Sequence, residues 1–207
     1  MMFTEDSQIF APEPGNEDQV VAFILSQPHG EYTEPDIRNT IVPGYFELCT
    51  EVGVPPILAI AQMIHETGNL TSFWSARPQR NPAGIGVDGR KQAQPPKNTT
   101  NWAFNTQRQM WEFGISFPSW RDDAIPAHVG RLLAYALAKG EGTAAQRELI
   151  DWAMHFRALP DHMRGSAPIL KRLGKVHNPT GQGWASPGAT YGSRVAAIAE
   201  RIVHTRV

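Results

Sequence analysis

The sequence predicts an α+β chain, predominantly α, in which amphipathic helices flank a small β insertion. Three observations carry that expectation. Apolar residues recur at helical spacing through the first third of the chain and again from about residue 125 to the end. Between these stretches, from Arg77 to Trp120, Pro, Gly, Asn and Thr dominate and the helical period disappears. The 207 residues, 41% hydrophobic and 19% charged, suit one buried core without repeats or low-complexity tracts.

Taken in order, residues 1–15, ending in APEPG, read as an extended leader, and residues 16–207 as a single domain with its β-lobe at about 77–120. A helix is expected from Asn16, with Val20, Val21, Phe23 and Ile24 inward. A second follows Thr33 with Ile37, Ile41, Tyr45 and Cys49 on one side, kinked or interrupted at Pro43-Gly44. The third runs from Pro55 to Gly68. Trp102, Phe104, Trp111, Phe113 and Phe117 then mark a loop-rich segment with a short β-hairpin or small sheet. After Ser119, Ile125, Val129, Leu132, Leu133 and Ala136 form a helical stripe, with Pro126 tolerable in a first turn. Thr143 to about Leu159 reads as a helix, a short one follows Ser166, and Val195, Ile198, Ala199 and Ile202 mark the last helix, from Ser193.

Composition narrows the function. A net charge of -1 gives no footprint for nucleic acid or anionic membranes. No apolar run is long enough to span a bilayer, and MMFTEDSQIF lacks the basic and apolar regions of a signal peptide. The single cysteine, Cys49, reads as core packing. His65-Glu66 begins like a zinc motif, but Asn69 stands where the second histidine belongs, so no metal is expected. GIGVDG lacks the lysine and helix start of a phosphate loop, so no cofactor is expected either.

The helix PPILAIAQMIHETG carries the chemistry. Ile57, Ile60, Ala61 and Ile64 share one face, while Gln62 and Glu66 lie one turn apart on the other. Such an apolar helix belongs in a core, which puts Glu66 where the core meets a cleft. Burial disfavours the charged form of a carboxylate, and a carboxyl that stays neutral is a general acid. Phe73 and Trp74, just beyond the helix, are candidates for the apolar wall that would do this.

Three stretches resemble the glucosaminidase domain of peptidoglycan hydrolases, glycoside hydrolase family 73. AQMIHETGNL is similar to that family's helix ending in its catalytic Glu. NPAGIG is similar to its Asn-x-x-Gly turn into the β-lobe, and WASPGATYG to its late motif with an active-site tyrosine. FPSWRDDAIPAHVGRLLAY and RGSAPILKRLGK share the texture, so the likeness spans roughly residues 34 to 205. It implies a lysozyme-like fold and an endo-β-N-acetylglucosaminidase that cuts the β-1,4 bond of the glycan strand. Glu66 would donate the proton and Tyr191 would lie near the scissile bond.

The second catalytic group stays open between Glu112, on the β-lobe, and the substrate's own 2-acetamido oxygen. Gln62, Asn81, Trp102, Trp111, Trp120 and Trp184 are the expected substrate-binding residues, since flat indoles pack on pyranose faces. The expected partner is peptidoglycan, bound by a monomer, and the expected setting a phage-type or virion-borne lysin made in the cytoplasm. A lytic transglycosylase, a muramidase and a non-catalytic wall-binding module remain as alternatives.

Overall fold

The computed structural model describes residues 2–11 and 15–207. The fold is α+β, predominantly α and lysozyme-like, with a small antiparallel sheet inserted between two helical groups. Asn16 caps α1 (Glu17–Leu25) in a capping box with Gln19, and Val20, Val21, Phe23 and Ile24 are buried as the spacing required. Thr33 caps α2 (Glu34–Asp36), which passes through a π turn (Ile37–Ile41) into α3 (Val42–Val52). The expected break at Pro43 is therefore a widening. A proline ring clashes with the carbonyl four residues back, and a π turn opens the helix just where that carbonyl lies. The same device precedes Pro126, where a π turn (Trp120–Ala124) leads into α5 (Ile125–Ala136).

Helix α4 (Pro56–Thr67) is the buried centre of the domain. Every residue from Ile57 to Met63 is fully buried. Helix α7 (Tyr191–Val203) packs along α4, and α5 packs against α6 (Ala144–Phe156). The α5–α6 approach is close because Gly130 has no side chain: a Cβ there would stand 2.1 Å from the Leu149 carbonyl oxygen. The short helix expected after Ser166 is a pair of 3-10 turns, Leu170–Leu173 and Lys175–His177.

The β-lobe is a small sheet of three strands: β1 (Lys91–Gln92), β2 (Trp102–Asn105) and β3 (Met110–Phe113), with β3 in the middle. Trp102 pairs with Phe113 and Phe104 with Trp111, so period-two alternation puts all four aromatics on one face. Ala103, Asn105 and Glu112 fall on the other, and those three are buried.

The leader does not stand away from the domain. Phe3 and Ile9 are buried in the core, the Ile9 N–H donates to the Pro168 carbonyl, and Leu170 and Lys171 N–H groups donate to Ser7 and Glu5. The Pro12–Pro14 part of APEPG lies outside the described residues. No helix among the described residues is long and apolar enough to cross a membrane.

Candidate active site

Glu66 is the penultimate residue of α4, and the chain beyond it turns sharply through Gly68, Asn69 and Leu70, all left-handed with φ of 59°, 57° and 66°. Glycine takes that conformation freely; the other two need support. Asn69 Nδ2 donates to the Ile24 and Pro28 carbonyls, and the Thr67 hydroxyl accepts from the Leu70 N–H. The turn leaves Glu66 on the wall of a cavity of about 460 Å³, lined also by His65, Ile85, Arg131, Tyr135, Arg157, Trp184 and Tyr191.

Burial pushes the Glu66 carboxyl above the ordinary range, against the opposing pull of hydrogen bonds from Tyr191 and Trp184. Tyr191 opens α7, which α4 carries along its length. Its hydroxyl donates to Glu66 Oε1 at 2.5 Å and accepts from Gln62 Nε2 at 2.8 Å. Burial, and then the nearby Glu66 charge, raise the phenol well above its ordinary value, so it stays a donor.

A buried chain continues behind Gln62. The Gln62 amide gives its N–H to Tyr191, so its Oε1 faces His128 Nε2 at 3.1 Å, and His128 Nδ1 meets the Tyr45 hydroxyl at 2.8 Å. With burial holding His128 neutral, its value pulled down to about 3, one tautomer satisfies the chain: Nε2 carries the hydrogen and Nδ1 accepts from Tyr45. Every link then donates in one direction, from Tyr45 to Glu66. The Tyr191 hydrogen occupies Oε1, and the Trp184 indole is a second hydrogen-bond partner of the carboxyl.

The structure sorts the other expected residues. Trp184 lines the cavity, its ring 5.8 Å from His128 and 5.7 Å from Tyr135. Gln62 is fully buried behind Tyr191, to which it donates, and is not among the residues that line the cavity. Asn81 is also fully buried: Nδ2 donates to Ile85 and Ile115 carbonyls while Oδ1 accepts from Ala83 and Ile85 N–H groups. Its four hydrogen bonds are used in holding the NPAGIG turn, so none is left for a sugar. Trp120, expected at the groove, is in the core instead, edge-on to Tyr32 at 5.6 Å. It follows the Ser119 cap, and the inward face of that first turn carries it into the core with Ala124.

Trp102 and Trp111 share the aromatic sheet face, outside the residues that line the Glu66 cavity. Glu112 points to the opposite, buried face, where its carboxylate accepts from Arg108 at 2.9 Å and Asn105 at 3.2 Å; it does not line the cavity. Phe73 and Trp74 are not the apolar wall of Glu66. Trp74 covers Gly114, and Phe73 lines a separate cavity beside Phe104. The wall is made by Trp184, Tyr135 and Tyr191.

Sequence reasoning passed over His128, Arg131 and Tyr135. They stand at i, i+3 and i+7 on α5, a polar seam beside an otherwise apolar stripe, and that spacing is the signal that marks them. Among the described residues no cluster of three or more His, Cys, Asp or Glu is placed to hold a metal ion.

A family profile described as Glucosaminidase, mannosyl-glycoprotein endo-beta-N-acetylglucosaminidase, matches residues 42–202, which includes α4, the β-lobe, α5 and the start of α7 through Ile202. No curated protein and no solved structure gives a match. The chain belongs to the glucosaminidase family, glycoside hydrolases of peptidoglycan.

Proposed function

We propose that this chain is an endo-β-N-acetylglucosaminidase that cuts the β-1,4 bond of the glycan strand, with Glu66 as general acid. The observation that supports it is the Glu66 carboxyl itself: raised by burial, on a cavity wall, and met by the Tyr191 hydroxyl and the Trp184 indole. In this reading the Glu66 carboxyl gives its proton to the glycosidic oxygen as the bond to the anomeric carbon breaks. Among the described residues lining the cavity Glu66 is the one carboxyl, which favours the substrate's acetamido oxygen as the nucleophile. That oxygen attacks the anomeric carbon and closes a ring. Water then adds at the same carbon, the Glu66 carboxylate takes its proton, and the acetamide re-forms. Trp184 packs on the sugar face, and the Trp102–Trp111 face extends the contact along the strand.

Mass spectrometry of digested peptidoglycan tests this. A glucosaminidase leaves N-acetylglucosamine at the reducing end; a muramidase leaves the other sugar, and a transglycosylase leaves a fragment one water lighter. Glu66→Gln is expected to lose about 10²–10⁴-fold in rate, the typical contribution of a general acid. Glu112→Gln is expected to keep most of the activity. A loss in Glu112→Gln as deep as that in Glu66→Gln would make Glu112 the base, and full activity in Glu66→Gln would refute the mechanism.

A further inference from the structure

The cavity beside Glu66 holds two guanidinium groups that no carboxylate answers. Arg131 is only 6% exposed. One of its N–H groups donates to the Arg157 carbonyl at 2.7 Å and the Tyr135 hydroxyl accepts another. Its guanidinium carbon lies 5.6 Å from the ring centroids of both Tyr135 and Trp184. Arg157, exposed, lines the same cavity. Among the described residues neither arginine forms an ion pair. Asp88 feels the charge of Arg157 but is already paired with Arg90 at 2.7 Å.

That arrangement is unfavourable in the empty protein and for a neutral ligand. A guanidinium withdrawn from water without a counter-charge is costly, and burial lowers the Arg131 value accordingly. Fixed positive charge also opposes the positive charge that develops at an anomeric carbon. Glu66 lines the same cavity, but its partners are Tyr191 and Trp184 and it forms no ion pair with either arginine. Both costs fall when the ligand brings a negative group to the two arginines.

We infer that Arg131 and Arg157 form a subsite for a carboxylate carried on the lactyl arm of the glycan. This rests on the glycan-cleaving reading given above. Every second sugar of that strand bears such an arm, its carboxyl either free or joined to a short peptide that has carboxylates of its own. The planar fork of a guanidinium matches a carboxylate with two parallel hydrogen bonds, which lysine would not do. The Tyr135 and Trp184 rings hold the Arg131 fork in a fixed plane, so the recognition is pre-organised.

The test compares acids with their neutral amides of the same shape. One pair is peptidyl glycan before and after its peptide carboxylates are amidated; the other is peptide-free glycan with its lactyl carboxylate free or amidated. The kcat/KM ratio of acid to amide is measured for the wild type, Arg157→Gln and Arg131→Gln, and the Kd ratio by calorimetry on Glu66→Gln with and without Arg157→Gln. A ratio of roughly ten or more is expected for the wild type in at least one pair, falling toward one in Arg157→Gln. The pair that shows it tells lactyl from peptide carboxylate. Arg157 is exposed, so its substitution keeps the test valid even if Arg131→Gln fails to fold. A wild-type ratio near one in both pairs, or a ratio that survives in both variants, overturns the subsite. If no glycan is cut at all, the enzymatic reading fails while the calorimetric ratios still decide this one.

Discussion

At Glu66 one carboxyl oxygen accepts from Tyr191, and from that contact a chain of hydrogen bonds reaches back through Gln62 to a histidine no solvent touches. His128 has a distinct pH signature. Its folded value, about 3, lies below the ordinary 6.5, so its contribution to stability is fully present above pH 6.5 and is lost as pH falls toward 3. Between pH 7 and pH 4 the wild type should therefore lose on the order of 3 kcal/mol more than His128→Gln, in which nothing titrates at that position. Urea unfolding at the two pH values measures this; equal losses would show that His128 is not held neutral. The structure brings together on one cavity wall Glu66, singled out by its place at the end of an apolar helix, and Tyr191, singled out by the WASPGATYG resemblance. The pairing of Tyr45 with His128 was not legible, because their meeting depends on elements 83 residues apart. Asn81 was misread for a related reason. A motif marks a residue as needed without saying whether it serves the ligand or the turn.

At the scale of elements, helix boundaries followed from caps and periodicity: Asn16, Ser119 and Thr143 each accept from a backbone N–H at the helix start. The π turns were not legible, since Pro43 and Pro126 announce only that something must give. The sheet was more legible than its irregular texture suggested. Trp102 and Phe104, like Trp111 and Phe113, are two apart, which is the strand period. That alternation also explains why Trp111 and Glu112, adjacent in sequence, serve opposite faces. Two elements pack closely at Gly130, where backbone meets backbone and neither α5 nor α6 can yield cheaply. Gly130→Ala should cost at least about 1–3 kcal/mol, the usual range for overpacking, and displace the His128–Arg131–Tyr135 seam. Thermal unfolding together with kcat/KM checks it; a fully stable, fully active variant would mean that the helices separate without consequence.

The whole molecule places one partly buried carboxyl on the wall of an aromatic-lined cavity and closes the rest of the core around it. The N-terminal segment takes part in that closure. Ile9 is fully buried, and Ile9→Ala should cost about 2–5 kcal/mol by lost contact and cavity, read as a lower midpoint in denaturant. An unchanged midpoint would return residues 2–10 to the extended leader that their composition suggested. Composition could not show this packing, because the partners of the segment, residues 168–171 and Glu200, lie at the far end of the chain.

The pH dependence of kcat/KM on peptidoglycan, for the wild type and Tyr191→Phe, tests the proton-donor role of Glu66 most directly, since that parameter reports the free enzyme's ionisations. Burial raises the Glu66 value, so wild-type activity should fall on the alkaline side through an ionisation above the ordinary glutamate value of 4.5. The Tyr191 hydrogen bond lowers that value, so Tyr191→Phe should move the fall to still higher pH while reducing the rate. A fall at or below the ordinary glutamate value, or a profile that Tyr191→Phe leaves in place, would contradict it.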